Sequence, residues 1–191
     1  MTVPQPKITI ITVVRNASGE LKKTIGSVLT QDYPNLEFIL VDGGSTDGTV
    51  EVIREHSAQI AWWVSEPDRG IYDAMNKGLA KATGEWVNFM NAGDIFYSND
   101  VISSVFSNKL DGFAVVYGDS IAAYPKALVP KPAGTPEQMV TGMVFCHQAT
   151  FVRRDLIGSV GFDLKYAIGA DFNILFSLYA QGALFKKLPI L

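Results

Sequence analysis

Four short runs of β-branched and aromatic residues recur along the first half of the chain. Each ends in a polar stretch and is followed by a segment with helical periodicity. "KITIITVV" (Lys7 to Val14), "LEFILVD" (Leu36 to Asp42), "IAWWVSE" (Ile60 to Glu66) and "EWVNFM" (Glu85 to Met90) have the length and near-continuous apolar character of buried parallel strands. Between them, Leu21, Ile25, Val28 and Leu29 fall on one helical face, with Ser18 as the expected cap. Ile71, Met75, Leu79 and Ala82 do the same further on. "GGSTDGTVEVIREHS" supplies a loop and the helix between them. Strand–helix alternation of this kind predicts the α/β class: a Rossmann-like, mostly parallel sheet with helices on both faces.

In such a sheet, ligands sit beyond the carboxyl ends of the strands. That rule gathers Val13 to Asn16, Asp42 to Gly44, Glu66 to Arg69 and Asn91 to Asp94 into one expected spatial group. After Asp94 the pattern loosens. "NDVISSVFSNKL" reads as a helix, "GFAVVYGDSIAAY" as a strand, and residues 125–136, with four prolines, as a loop. "MVFCHQATFVRR" reads as a strand, "ADFNILFSLYAQG" as a helix closed by Gly182, and "ALFKKLP" as a last strand.

Composition narrows the function. The 191 residues are 48% hydrophobic and 18% charged, enough for one domain with a core. A net charge of -3 and a pI of 5.3 argue against a nucleic-acid partner. A single cysteine, Cys146, excludes an intrachain disulfide and fits a reducing compartment, where it reads as a small buried hydrophobe. Two histidines, His56 and His147, are too few for a histidine-rich metal site. The N-terminus lacks a signal-peptide pattern and no run is long enough to span a membrane, so a cytoplasmic location is expected.

The familiar nucleotide motifs are missing. There is no G-x-G-x-x-G, no G-x-x-x-x-G-K-[ST] and no G-x-S-x-G. What remains is distributed. In "VDGGSTDGT", Asp42 stands at a strand tip, where it either organises the turn or accepts a hydrogen bond from a nucleobase; Gly43 and Gly44 would let the backbone lie against the ring. In "SEPDRGIYDAMNKGLAKATGE", Tyr72 and Asn76 are neighbours at i and i+4, and Asn76 in mid-helix implies a polar task. Asp73 and Lys77 read as a surface pair, and Arg69 stands where it can meet a phosphate or base. "NFMNAGD" ends a strand on Asn91 and Asp94, either a turn or a cation site.

The order "ITVVRN", "VDGGSTDGT", "EPDRGIYDAMNKGLAKATGEW", "NFMNAGD" and "GADFNILFSLYAQG" resembles the inverting family-two glycosyltransferases of the GT-A fold, most of all branches that build bacterial surface polysaccharides. The likeness runs from Lys7 to Leu188. It implies a single glycosyltransferase domain over 1–191, with a nucleotide-binding half over about 1–98 and an acceptor-side half over about 99–191. It further implies that Thr12, Val14 and Asn16 line the nucleotide, that Asp42 and Gly44 meet its base, and that Arg69, Asn76 and Asn91 lie along the nucleotide-sugar cleft. Asp94 falls on the family's metal-binding aspartate, for Mn²⁺ or Mg²⁺, and Asp171 on its catalytic base. Many family members carry an acidic residue where this chain has Asn91, so weak metal affinity is expected until the nucleotide brings its own phosphate oxygens.

The implied reaction takes a sugar from a nucleotide-diphosphate sugar (UDP-sugar favoured over GDP- or TDP-sugar) to a saccharide or lipid-linked acceptor with inversion. Peripheral association with the inner face of the cell membrane is part of that expectation, as is continuation of fuller members beyond the point where this chain ends. A non-catalytic nucleotide-sugar-binding homologue and a sugar-phosphate nucleotidyltransferase are the alternatives. On a strand, His147 and Gln148 would point to opposite faces, so at most one enters the cleft. His147 is the candidate contact to diphosphate or acceptor.

Overall fold

The computed structural model describes residues 5–158 and 160–190. Residues 1–4, part of the segment read for a signal peptide, and Leu191, where the chain ends, lie outside them. Parallel pairing joins β1 (Ile8–Val14) to both β2 (Leu36–Asp42) and β4 (Trp86–Phe89), and β2 to β3 (Trp62–Ser65). Beyond β4 come β5 (Phe113–Tyr117), β8 (Thr150–Arg153) and β9 (Leu184–Lys187), giving the order β3-β2-β1-β4-β8-β5-β9. Only β8 runs against the others. The α/β reading therefore holds.

Period-two alternation divides the core between the two faces of the sheet. Ile8, Ile10 and Val14 of β1 pack with α1 (Ser18–Leu29), α2 (Thr49–Glu55) and α4 (Val101–Phe106). Ile11 and Val13 pack on the other side with α3 (Ile71–Leu79) and α6 (Ala170–Ala180). Gly78 lies inside α3 despite its poor helix propensity because α3 runs close to β1: a Cβ there would meet the Ile11 Cγ2 at 2.5 Å.

Several local expectations change. Ser18 is the first residue of α1 rather than its cap, and its amide donates to Asp47 Oδ2 at 3.2 Å. The stretch read as one strand over 112–124 breaks at Gly118 and Asp119 into β5 and β6 (Ser120–Tyr124). The proline-bearing segment read as loop contains β7 (Ala127–Lys131), which pairs with β6 as a separate two-stranded ribbon. Such a ribbon is all edge, where a proline without an N–H is tolerated. "MVFCHQATFVRR" is a strand only from Thr150, and His147–Ala149 form a 3₁₀ turn ahead of it. Asp73 is buried rather than superficial: it accepts from the Arg69 amide and guanidinium at 3.1 and 2.9 Å, while Lys77 stands 3.7 Å away.

Candidate active site

The four polar strand ends do converge. The Gly43 amide donates to the Val14 carbonyl, the Glu66 amide to Asp42, and the Ala92 amide to Val13. A Cβ on Gly43 would collide with Asp68, and one on Gly44 would reach the Pro67 nitrogen at 3.3 Å, so backbone from three loops meets here. Gly44 also sits at φ +80, a conformation that side chains rarely tolerate.

Within this cradle several expected nucleotide contacts are committed to the protein itself. Thr12 is fully buried and its hydroxyl donates to the Met90 carbonyl at 2.7 Å, so it holds β1 to β4 instead of lining a cleft. Val14 packs its side chain into the α1 face of the core. Asn16 adopts φ 49, which asparagine tolerates better than most residues; its Oδ1 accepts from the Thr46 amide, tying the first loop to the second. Asp42 is 0% exposed, with its oxygens taken by the Ser45 amide, the Ser45 hydroxyl and the Ser65 hydroxyl. A carboxylate offers about four acceptor sites, so three are filled and the group organises the turn. Asn76 is also corrected: its amide clasps the Phe162 backbone, donating to the carbonyl at 2.8 Å and accepting from the amide at 2.7 Å. Arg69 stays on the exposed rim, paired to Asp73.

The chemistry-bearing groups cluster one strand over. Asn91 to Asp94 form a tight turn closed by the Asp94 amide on the Asn91 carbonyl, with Gly93 at φ +103. Thr24 of α1, fully buried, clamps it by accepting from the Gly93 amide and donating to the Asp94 carbonyl, both at 2.9 Å. On the opposite wall, Asp171 begins α6. Its Oδ1 accepts from the Tyr72 hydroxyl at 2.9 Å, and its Oδ2 lies 3.0 Å from His147 Nδ1. The side chain is 18% exposed. Burial pushes the Asp171 carboxyl up, but the hydrogen bonds from His147 and Tyr72 outweigh it and hold the pKa at about 2.

The 147–149 turn joins these two walls. Because a carboxylate only accepts, His147 Nδ1 carries the proton toward Asp171, and Nε2 lies 3.2 Å from Asn91 Nδ2. Gln148 Nε2 donates to Asp94 Oδ2 at 2.9 Å, and its Oε1 accepts from the Cys146 thiol. Burial pushes the Cys146 thiol up, so it remains a donor, and it is half-buried rather than a core hydrophobe. The two side chains therefore part: His147 turns to Asp171 and Gln148 to Asp94, and they line different cavities. The expectation of opposite faces rested on strand geometry; here a 3₁₀ turn, at about 120° per residue instead of 180°, separates them. The roles of Thr24, Tyr72 and Gln148 were not read from sequence, though the Tyr72–Asn76 spacing marked the α3 face that carries Tyr72.

The donor set fits a hard divalent cation in part. Asn91 Oδ1 is buried without a hydrogen-bond partner, and Asp94 brings a carboxylate to the same turn. Among the described residues no three His, Cys, Asp or Glu side chains converge into a metal cage. Oxygen ligands from a bound diphosphate would complete such a site.

The model of the family described as Glycosyl transferase family 2 matches residues 9–161. The chain belongs to that family. A PGL/p-HBAD biosynthesis glycosyltransferase of Mycobacterium bovis (strain BCG / Pasteur 1173P2) is 31% identical over 188 residues, covering 95% of this chain and 73% of that one. The S. aureus TarS 1-349 structure in complex with UDP superposes with a TM-score of 0.79 at 18% identity, over 95% of this chain and 57% of that one. The mannosyltransferase PcManGT from Pyrobaculum calidifontis in complex with GDP-Man and Mn²⁺ gives 0.75 at 22% identity, over 97% and 55%. This family-two glycosyltransferase thus has the GT-A fold and spans little more than half the length of those two solved chains. Among the described residues no helix is long and apolar enough to cross a membrane.

Proposed function

We propose that the chain transfers a sugar, with inversion, from a nucleotide-diphosphate sugar to an acceptor hydroxyl, the first half holding the nucleotide and the second half the acceptor. The observation that carries this reading is the single turn, His147–Ala149, that joins the Asn91–Asp94 segment to Asp171 at the ligand end of the sheet. The ligands held by the solved neighbours, GDP-Man with Mn²⁺ and UDP, support the donor class.

In the proposed reaction the acceptor oxygen attacks the anomeric carbon as the bond to the diphosphate oxygen breaks on the far side. Its proton passes to a lone pair of Asp171 left free by Tyr72 and His147. One in-line displacement inverts the centre and needs no covalent enzyme intermediate. Asn91 and Asp94 would hold Mn²⁺ or Mg²⁺ against the diphosphate. Bound there, the cation would offset the charge of the leaving group. A cavity of about 990 Å³ opens beside Asp94, lined mainly by apolar side chains including Phe96, Tyr117 and Leu128. It supports an acceptor with apolar character, such as a lipid-linked saccharide, and an enzyme working at the inner face of the membrane.

A second reading, binding without turnover, is favoured by the neutral Asn91. A thermal-shift screen of UDP-, GDP- and TDP-sugars with and without Mn²⁺, followed by assays of transfer and donor hydrolysis, tests both. Selective stabilisation by one nucleotide sugar is expected, because ligands that bind only the folded state raise its melting temperature. Binding without turnover would leave the second reading, and no binding at all would refute both.

A further inference from the structure

The two carboxylates of the proposed reaction lie on different elements, Asp94 after β4 and Asp171 at the start of α6, yet consecutive residues of one turn hold them. We infer that His147 and Gln148 are a matched pair of positioning residues: His147 sets the carboxylate of Asp171 toward the acceptor, and Gln148 sets that of Asp94 toward the donor diphosphate. The inference rests on the proposed transfer but concerns residues to which that reaction assigns no bond making or breaking.

Three observations separate the pair from ordinary packing. First, each side chain is anchored on its far side by a second, directional contact. His147 Nε2 meets Asn91 Nδ2 at 3.2 Å, and Gln148 Oε1 accepts from the Cys146 thiol. An imidazole fixed at Nε2 must present Nδ1–H to Asp171, and an amide fixed at Oε1 must present Nε2–H to Asp94. Second, the turn is itself pinned. Asn88 of β4 donates to the Gln148 and Thr150 carbonyls at 2.8 and 2.9 Å, and Thr150 donates to the Cys146 carbonyl at 2.7 Å. The side chains are thus referred to the strand that carries Asn91 and Asp94. Third, both carboxylates keep acceptor capacity after these bonds, so the contacts orient them without using them up. Partners of this kind, one bond behind a ligand or a reacting group, change affinity or activity by about 10–100-fold when removed.

The two halves make opposite demands on a mutant, which supplies the test. His147→Leu removes the donor to Asp171 and leaves Gln148 in place. Transfer at saturating donor should fall about 10–100-fold, and the Mn²⁺-dependent gain in UDP or GDP affinity, measured calorimetrically, should fall less than it does in Gln148→Met, because His147 reaches the cation side only through Asn91. Asp171 faces two titratable groups, Tyr72 from α3 and His147 from the turn. A ¹³C titration of its carboxyl in the metal-free protein should therefore move to higher pH in His147→Leu and return most of the way in His147→Gln, which keeps a donor. Gln148→Met should give the reverse pattern: the Mn²⁺-dependent gain in nucleotide affinity weakened about tenfold or more, and the Asp171 titration unmoved.

Should either apolar variant fail to fold, His147→Gln and Gln148→Glu carry the same comparison, the latter replacing a donor to Asp94 with an anion. Equal losses in both readouts, tracking melting temperature, would reduce the turn to a structural element and overturn the inference. So would a wild-type Asp171 titration in His147→Leu. The Asp171 titration needs no nucleotide, so it judges His147 even if the wild type neither binds nor transfers sugar, a result that would count against the proposed function instead.

Discussion

Two carboxylate clusters sit at opposite ends of the same sheet, and they are built differently. At the amino end of β2, Glu37 accepts from the Lys7 ammonium at 2.7 Å, the Thr9 hydroxyl at 2.6 Å, and the Thr83 amide and hydroxyl at 2.7 and 2.6 Å. Its side chain is 8% exposed, and its acceptor capacity is used in full. At the carboxyl end, Asp171 and Asp94 keep lone pairs in reserve and Asn91 Oδ1 has no partner at all. A buried polar group without a partner costs about 1–3 kcal/mol, so the first arrangement favours stability and the second retains a deficit that a ligand can fill.

The largest expected effect separates the two ends most cleanly. Asp171→Asn keeps size but cannot take a proton, and it leaves an acceptor for only one of Tyr72 and His147, so transfer should fall about 10²–10⁴-fold. Donor affinity should hardly move while the melting temperature falls, since one partner of the carboxylate loses its acceptor, and a variant that transfers at the wild-type rate would remove Asp171 as base. A smaller change belongs to the cation. Asp94→Ala should abolish the Mn²⁺-dependent part of nucleotide affinity, whereas Asn91→Asp should strengthen it, because hard cations prefer anionic oxygens. Calorimetry showing neither change would make the segment a turn and nothing more.

The smallest effect should appear at the other end. Glu37→Gln should cost about 1–3 kcal/mol of stability and leave donor binding intact, since it weakens a satisfied network remote from the cleft. Burial pushes the Glu37 carboxyl up, yet Lys7, Thr83 and Thr9 together hold it near about 2, below its ordinary 4.5. A depressed carboxyl contributes stability that is complete above the ordinary value and is lost as pH falls toward the folded one. Wild type should therefore lose stability between about pH 4.5 and 2, and Glu37→Gln should lose less over that window in denaturant titrations. Equal acid sensitivity in the two proteins would contradict this assignment.

The parallel half was legible because its signals are local: β-branched runs of the right length, and polar residues where each run stops. The NAGD segment and Asp171 were found through the order of motifs along the chain. The corrections come from contacts that local pattern does not encode. Asn76 was rightly read as a polar residue in mid-helix, but its partner is the backbone of Phe162, 86 residues away. The apolar flanks "MVFC" and "ATFV" made the 147–149 turn look like continuous strand. A further reason lies in the direction of β8. In a parallel strand the residues that trail it reach the ligand end; in the reversed β8 it is the residues that lead it, so His147 and Gln148 arrive there from the side where no rule directed attention.

The place of β8 also imposes an order of assembly. It lies between β4 and β5, yet follows both in the chain, and Asn88 meets the segment leading into it across 60 residues. Pairing of β1 with β2 (Ile8 with Leu36) and of β2 with β3 (Ile39 with Trp62) uses residues that come earlier and lie closer in sequence, with smaller loop-closure costs, whereas β4 joins β1 through the distant pair Ile8 and Trp86. The part of the cradle built on β1, β2 and β3 should therefore form first, with β4 and Thr150–Arg153 of β8 joining it afterwards. On this hypothesis, newly made chain would acquire the means to grip a nucleotide before it acquires His147 and Asp171. Pulsed hydrogen exchange during refolding should protect β1 and β2 amides ahead of those in β8, and simultaneous protection would argue against that sequence of events.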